Sequence, residues 1–65
     1  MRVNGTDEKL DPMTVLELLR NRGLDPTARG IAVAVNGAVV PRREWPTARL
    51  DRADEVEIVK PYRGG

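Results

Sequence analysis

The chain contains no cysteine, no histidine and no phenylalanine. Without cysteine there is no disulfide and no thiol nucleophile, and without histidine there is no imidazole base. Together the two absences remove the usual zinc sites, so no metal centre is expected. Aromatic side chains are limited to Trp45 and Tyr62. Eleven basic residues stand against ten acidic ones, for a net charge of +1, and they form no basic run. Nucleic-acid surfaces are built from basic stripes with stacking aromatics, so no nucleic-acid partner is expected. No apolar run is long enough to span a bilayer, and the first residues hold no apolar stretch of signal-peptide length. The expected compartment is the cytoplasm, with no membrane partner. Sixty-five residues make one small domain. A domain of this size buries only about 60% of the surface its unfolded chain exposes. That leaves no room for an apolar cleft of several hundred Å³, which argues against a self-sufficient catalyst.

What is present is strongly punctuated. Met1–Val3 alternates, and Asn4-Gly5 is the strongest two-residue signal for a type I′ hairpin turn. A return strand over Thr6–Leu10 predicts a first hairpin at about residues 1–10. Asp11-Pro12 ends it. Thr14-Val15-Leu16-Glu17 has the form of a capping box, with the Thr14 hydroxyl and the Glu17 carboxylate satisfying each other's backbone N–H groups. Val15, Leu18 and Leu19 follow at i, i+3 and i+4 and make one apolar stripe of a helix at about 15–22. Arg20 and Arg22 suit the helix C-terminus, Gly23 suits a left-handed C′ position, and Leu24 can close the contact beyond it. So short a helix is unstable alone and must lie on a sheet.

Asp25-Pro26-Thr27 is a turn. In the next run Ile31, Val33 and Val35 share one face of a strand, while Ala32 and Ala34 share the other. Asn36-Gly37 signals a second hairpin, at about 30–41, closed by Pro41, which lacks a donor. Arg42–Pro46 reads as irregular chain. Trp45 reads as a lid on one end of the core, and Leu50 as another core anchor. Arg42, Arg43, Arg49 and Arg52 read as solvated charges offset by Glu44, Asp51 and Asp54 rather than as a docking face. Asp51–Asp54 is a turn. Glu55–Lys60 is the last strand, with Val56 and Ile58 facing in and Glu57 and Val59 facing out. Val59, Ala32 and Ala34 then make a modest apolar patch, a candidate partner surface if it is not one of the scattered apolar groups every surface carries.

The order strand, strand, helix, strand, strand, strand predicts an α+β fold in which a mixed sheet of about five strands wraps one helix. The last strand lies beside the first. This is the β-grasp, or ubiquitin-like, architecture, over residues 1–60; a small strand-rich barrel is the rival that the helix argues against. Residues 61–65 form a tail, Pro61-Tyr62-Arg63-Gly64-Gly65. Two terminal glycines have no side chain to pack. They suit a segment that threads a narrow channel, Gly64 passing a constriction that any Cβ would block and Gly65 presenting its α-carboxylate. Tyr62 and Arg63 either steer the tail into an acidic channel or stand solvated.

The run Val33-Ala34-Val35-Asn36-Gly37-Ala38-Val39-Val40-Pro41-Arg42-Arg43-Glu44-Trp45 resembles the corresponding segment of the ThiS family of bacterial sulfur carriers. So do the helix start Thr14–Leu19, the strand Asp54–Val59 and the Gly64-Gly65 end. The resemblance implies a carrier rather than an enzyme. A ThiF-like adenylyltransferase of the ubiquitin-activating type uses ATP to adenylate the Gly65 carboxylate, and a sulfur donor protein converts the adenylate to a thiocarboxylate. Thiazole synthase, or another acceptor enzyme, takes the sulfur for thiamin biosynthesis. No cofactor is bound by the carrier itself. The stretch Tyr62-Arg63-Gly64-Gly65 is closer to the tail of ubiquitin. Three alternatives follow: a protein modifier joined through Gly65, a MoaD-like carrier for molybdopterin or another sulfur-containing metabolite, and a β-grasp interaction domain with no chemistry.

Overall fold

A computed structural model of the protein describes residues 1–61. Strand β1 (Arg2–Val3) turns through Asn4-Gly5 into β2 (Thr6–Asp7), with Arg2 opposite Asp7 and Val3 opposite Thr6. Strand β4 (Ala32–Val35) turns through Asn36-Gly37 into β5 (Ala38–Val39) in the same way. In both turns asparagine and glycine have positive φ, 51° and 83°, the type I′ geometry that the Asn-Gly pairs predict. The last strand, β7 (Glu55–Val59), runs through the middle of the sheet. It pairs parallel with β1 and antiparallel with β4, giving the order β2-β1-β7-β4-β5.

The helix α1 spans Val15–Asn21 and begins with the expected capping box. Thr14 Oγ1 accepts from the Glu17 N–H at 3.1 Å, and Glu17 Oε1 accepts from the Thr14 N–H at 2.8 Å. The next two orphan N–H groups are met from far along the chain: Val15 donates to the Ala48 carbonyl and Leu16 to that of Trp45. At the other end Gly23, at φ 74°, donates to Arg20, and Leu24 donates to Leu19. These two bonds form a Schellman motif and stop the helix where the sequence predicts. Val15, Leu18 and Leu19 are fully buried against the sheet with Val3, Val33, Trp45, Leu50, Val56 and Ile58. The result is the β-grasp arrangement, one helix held in a mixed five-stranded sheet.

Four details differ from expectation. The return strand of the first hairpin stops at Asp7, and Leu10 packs half-buried from a loop. Strand β4 starts at Ala32 rather than Ile31, because Gly30 just before it has a left-handed φ of 86°. Residues Arg42–Glu44 form a 3₁₀ turn, entered from Pro41, whose carbonyl accepts from the Glu44 N–H. A small second sheet joins β3 (Met13–Thr14) to β6 (Arg49–Leu50), with Met13 opposite Leu50. It ties the start of the helix to the loop beneath Trp45.

Candidate functional site

Cross-strand partners on one face of an antiparallel pair lie side by side. The register sets Ala32 opposite Val59 and Ala34 opposite both Glu57 and Val39. Ala32, Ala34 and Val59 therefore share the outward face of the sheet, as expected from the sequence. Val39 joins them; it is 74% exposed and Val59 is 60% exposed. These residues and Glu57 line a shallow apolar depression of about 160 Å³. Val39 was legible in principle: an Asn36-Gly37 two-residue turn pairs 34 with 39, and the face of Ala34 then decides that of Val39. The alanines supply a flat floor and the two valines a raised rim. The patch is shallow and mostly apolar, with Glu57 as its one charged lining residue.

This face belongs to the strand that leads to the C-terminus. Val59 is the last residue of β7, and Lys60 and Pro61 follow, both exposed. The candidate residues Tyr62, Arg63, Gly64 and Gly65 lie outside the described residues.

Arg43, Arg49 and Arg52 are exposed, in keeping with their reading as solvated charges, but Arg42 is placed differently. The Arg42 guanidinium stacks over the Trp45 ring, 4.5 Å from its centroid. It donates to the Ala28 carbonyl at 2.7 Å and to that of Pro26. Arg42 is thus a brace between the 25–28 turn and the buried tryptophan, whose own Nε1–H donates to the Val40 carbonyl at 3.0 Å. Arg52 pairs with Asp11, and Arg43 lies 4.0 Å from Glu44. Among the described residues Asp54 pairs with no arginine. It accepts from the Asp51 N–H at 2.7 Å and from the Asn36 amide at 3.0 Å. These two bonds hold its carboxyl below the ordinary aspartate value, the Asp51 N–H having the larger effect. The Thr14 N–H does the same for Glu17, and the Thr27 hydroxyl followed by its N–H for Asp25. All three shifted carboxylates belong to turns and caps, away from the sheet face.

The model of the ThiS family matches residues 1–65. This chain belongs to the ThiS family. Among solved structures, the crystal structure of the thiamine biosynthesis protein ThiS from Geobacter metallireducens is 28% identical. The match covers 98% of this chain and 96% of that one, with a TM-score of 0.79. The solution structure of a thiamine biosynthesis protein from the same organism is also 28% identical, over 98% of this chain and 85% of that one, with a TM-score of 0.80. A comparison with curated protein sequences finds no match. Membership of the ThiS family makes the chain a small sulfur carrier that works with partner enzymes, not a catalyst. Among the described residues no helix is long and apolar enough to cross a membrane.

Proposed function

We propose that this ThiS family protein carries sulfur as a thiocarboxylate on Gly65 and delivers it in the synthesis of the thiamin thiazole. The family match carries this reading, because it runs through Gly64-Gly65. The sheet face formed by Ala32, Ala34, Val39 and Val59 is the surface on which a ThiF-like adenylyltransferase docks, with Tyr62 and Arg63 guiding the tail into its channel. An α-carboxyl with an ordinary pKa near 3.5 is an anion at neutral pH and a nucleophile for the α-phosphate of ATP. Attack there expels pyrophosphate and leaves an acyl-adenylate, now an electrophile with a good leaving group. The terminal sulfur of a donor persulfide then attacks the acyl carbon and displaces AMP. A second thiol cleaves the resulting acyl disulfide and leaves the thiocarboxylate. The carrier supplies no acid, base or metal; orientation and charge stabilisation come from the partner. The need for ATP and a persulfide ties the work to the cytoplasm, and thiazole synthase is the acceptor.

Intact-protein mass spectrometry tests the reading. The protein is incubated with its host's ThiF-like enzyme, ATP and a sulfur donor. The expected gain corresponds to one oxygen replaced by sulfur, confined to the C-terminal peptide. Dependence of thiazole formation on the thiocarboxylate form, measured with the host's thiazole synthase, tests the acceptor. The ubiquitin-like sequence Tyr62-Arg63-Gly64-Gly65 favours one other outcome, Gly-Gly remnants on lysines of other proteins with no gain of sulfur, which would make the protein a modifier.

A further inference from the structure

The β4–β7 register, Ala32 opposite Val59, sets Gly30 opposite Pro61 when it is carried two residues outward. The hydrogen-bonded ladder cannot follow, since Pro61 has no N–H to donate. Instead the proline ring lies on the glycine. A Cβ added at Gly30 would stand 2.8 Å from the Pro61 Cβ and 3.2 Å from its Cγ. Gly30 also has a φ of 86°. The other described glycines, Gly5, Gly23 and Gly37, share the positive φ, but an added Cβ there would meet nothing within 4 Å. Gly30 is therefore the described glycine at which the space, and not only the backbone, demands that no side chain be present.

We propose that Gly30 is a positioning residue for the chemistry at Gly65, by providing the notch in which Pro61 seats the root of the tail. The role rests on the sulfur-carrier reading. Pro61 is the last described residue, and four residues separate it from the C-terminus. Fully extended, four residues reach about 13–14 Å. Over so short a reach, the depth and direction at which the carboxylate arrives depend on where residue 61 is held. Proline is suited to that anchor because its ring fixes φ. The seat also adjoins the docking face, since Ala32 and Val59 are the pair two residues inward, on the same side of the sheet. A partner bound to that face meets a tail whose origin is already set. A side chain at position 30 displaces the ring and moves the origin while leaving the face untouched.

The test compares Gly30→Ala with Gly23→Ala, which introduces similar backbone strain at a φ of 74° with no neighbour to displace. In wild type, nuclear Overhauser contacts between Gly30 Hα and the Pro61 ring are expected. In Gly30→Ala they are lost while the Ala32–Val59 cross-strand contacts persist. In ATP-dependent adenylation by the host's ThiF-like enzyme, Gly30→Ala is expected to lower kcat by about tenfold or more, as misplacement of a reacting group does. Its KM stays near the wild-type value, and Gly23→Ala keeps both constants. Absence of the Gly30–Pro61 contacts in wild type overturns the proposal, as does a wild-type kcat in Gly30→Ala or an equal loss in Gly23→Ala. A wild-type protein that shows the contacts yet is not adenylated overturns the carrier reading, and the positioning role falls with it.

Discussion

The side-chain carbonyl of Asn4 accepts a hydrogen bond from the Ile58 N–H at 2.8 Å, joining two residues 54 apart in the chain. The other turn repeats the device: Asn36 Oδ1 accepts from the Glu55 N–H at 2.9 Å. Each Asn-Gly turn therefore has two functions. Its backbone reverses a hairpin, and its asparagine side chain continues the pairing onto β7. Asn4→Gly keeps the left-handed backbone and removes only the side-chain bond. It is expected to cost about 1–2 kcal/mol by leaving the Ile58 N–H without its partner. Thermal unfolding should show the loss as roughly 4–16 °C in Tm for a domain of this size.

The sheet face is testable apart from stability. Val39→Arg adds a charge at a side chain already 74% exposed, so the fold should change by about 0.5 kcal/mol or less. If the adenylyltransferase docks there, KM for the carrier should rise by about tenfold, the effect of about 1.4 kcal/mol of lost binding, with kcat nearly unchanged. Steady-state kinetics and a melting curve on the same preparation separate the two effects.

Changes at the tail should do the reverse. Gly64→Ala, or one residue appended after Gly65, lies outside the described core and should leave Tm unchanged. Adenylation should be abolished in both. An extended protein adenylated at the wild-type rate would refute the role of the Gly65 carboxylate.

Acid should destabilise the protein through its turns and caps. The carboxyls of Asp54, Asp25 and Glu17 are all held below their ordinary values of 3.8, 3.8 and 4.5. A carboxyl depressed in the folded state contributes stability that is present above its unfolded value and is lost as pH falls through the folded one. Tm should be flat above about pH 5.5, a unit clear of the ordinary range, and should fall below about pH 4.5. In Asp54→Asn the acid-induced fall should be shallower, because that position no longer takes up a proton. Calorimetry across the pH series measures both.

Arg42→Lys tests the brace. Lysine keeps the charge but cannot span two carbonyls with a planar fork while stacked on a ring. A loss of about 1–2 kcal/mol is expected, from weakened hydrogen bonds and cation–π contact. Trp45 is the only tryptophan, so its fluorescence reports the change in chemical denaturation directly.

What the sequence discloses is what neighbouring residues decide. Thr14 and Glu17 cap within one turn, Gly23 ends the helix it follows, and each Asn-Gly reverses its own hairpin. What it withholds is decided by distant partners. The β3–β6 pair joins residues 13–14 to 49–50, and two-residue strands have no periodicity to show. Arg42 reads as one more surface charge until the fold brings the carbonyls of Pro26 and Ala28 beside it. The outward patch was half legible, as Ala32, Ala34 and Val59, because alternation along a strand assigns faces. Val39 needed the hairpin register as well. The tail chemistry was read from the motif and the family resemblance rather than from any packing pattern.

The central place of β7 bears on assembly. The strand that β1 and β4 both need comes after both of them in chain order. A chain cut before Glu55 keeps both hairpins, the helix and the β3–β6 pair, but has no strand to join the hairpins in one sheet. Limited proteolysis is expected to cleave such a chain faster than one that includes β7. Folding thus couples the two hairpins to the strand that leads into the C-terminal tail: they meet in one sheet only through β7.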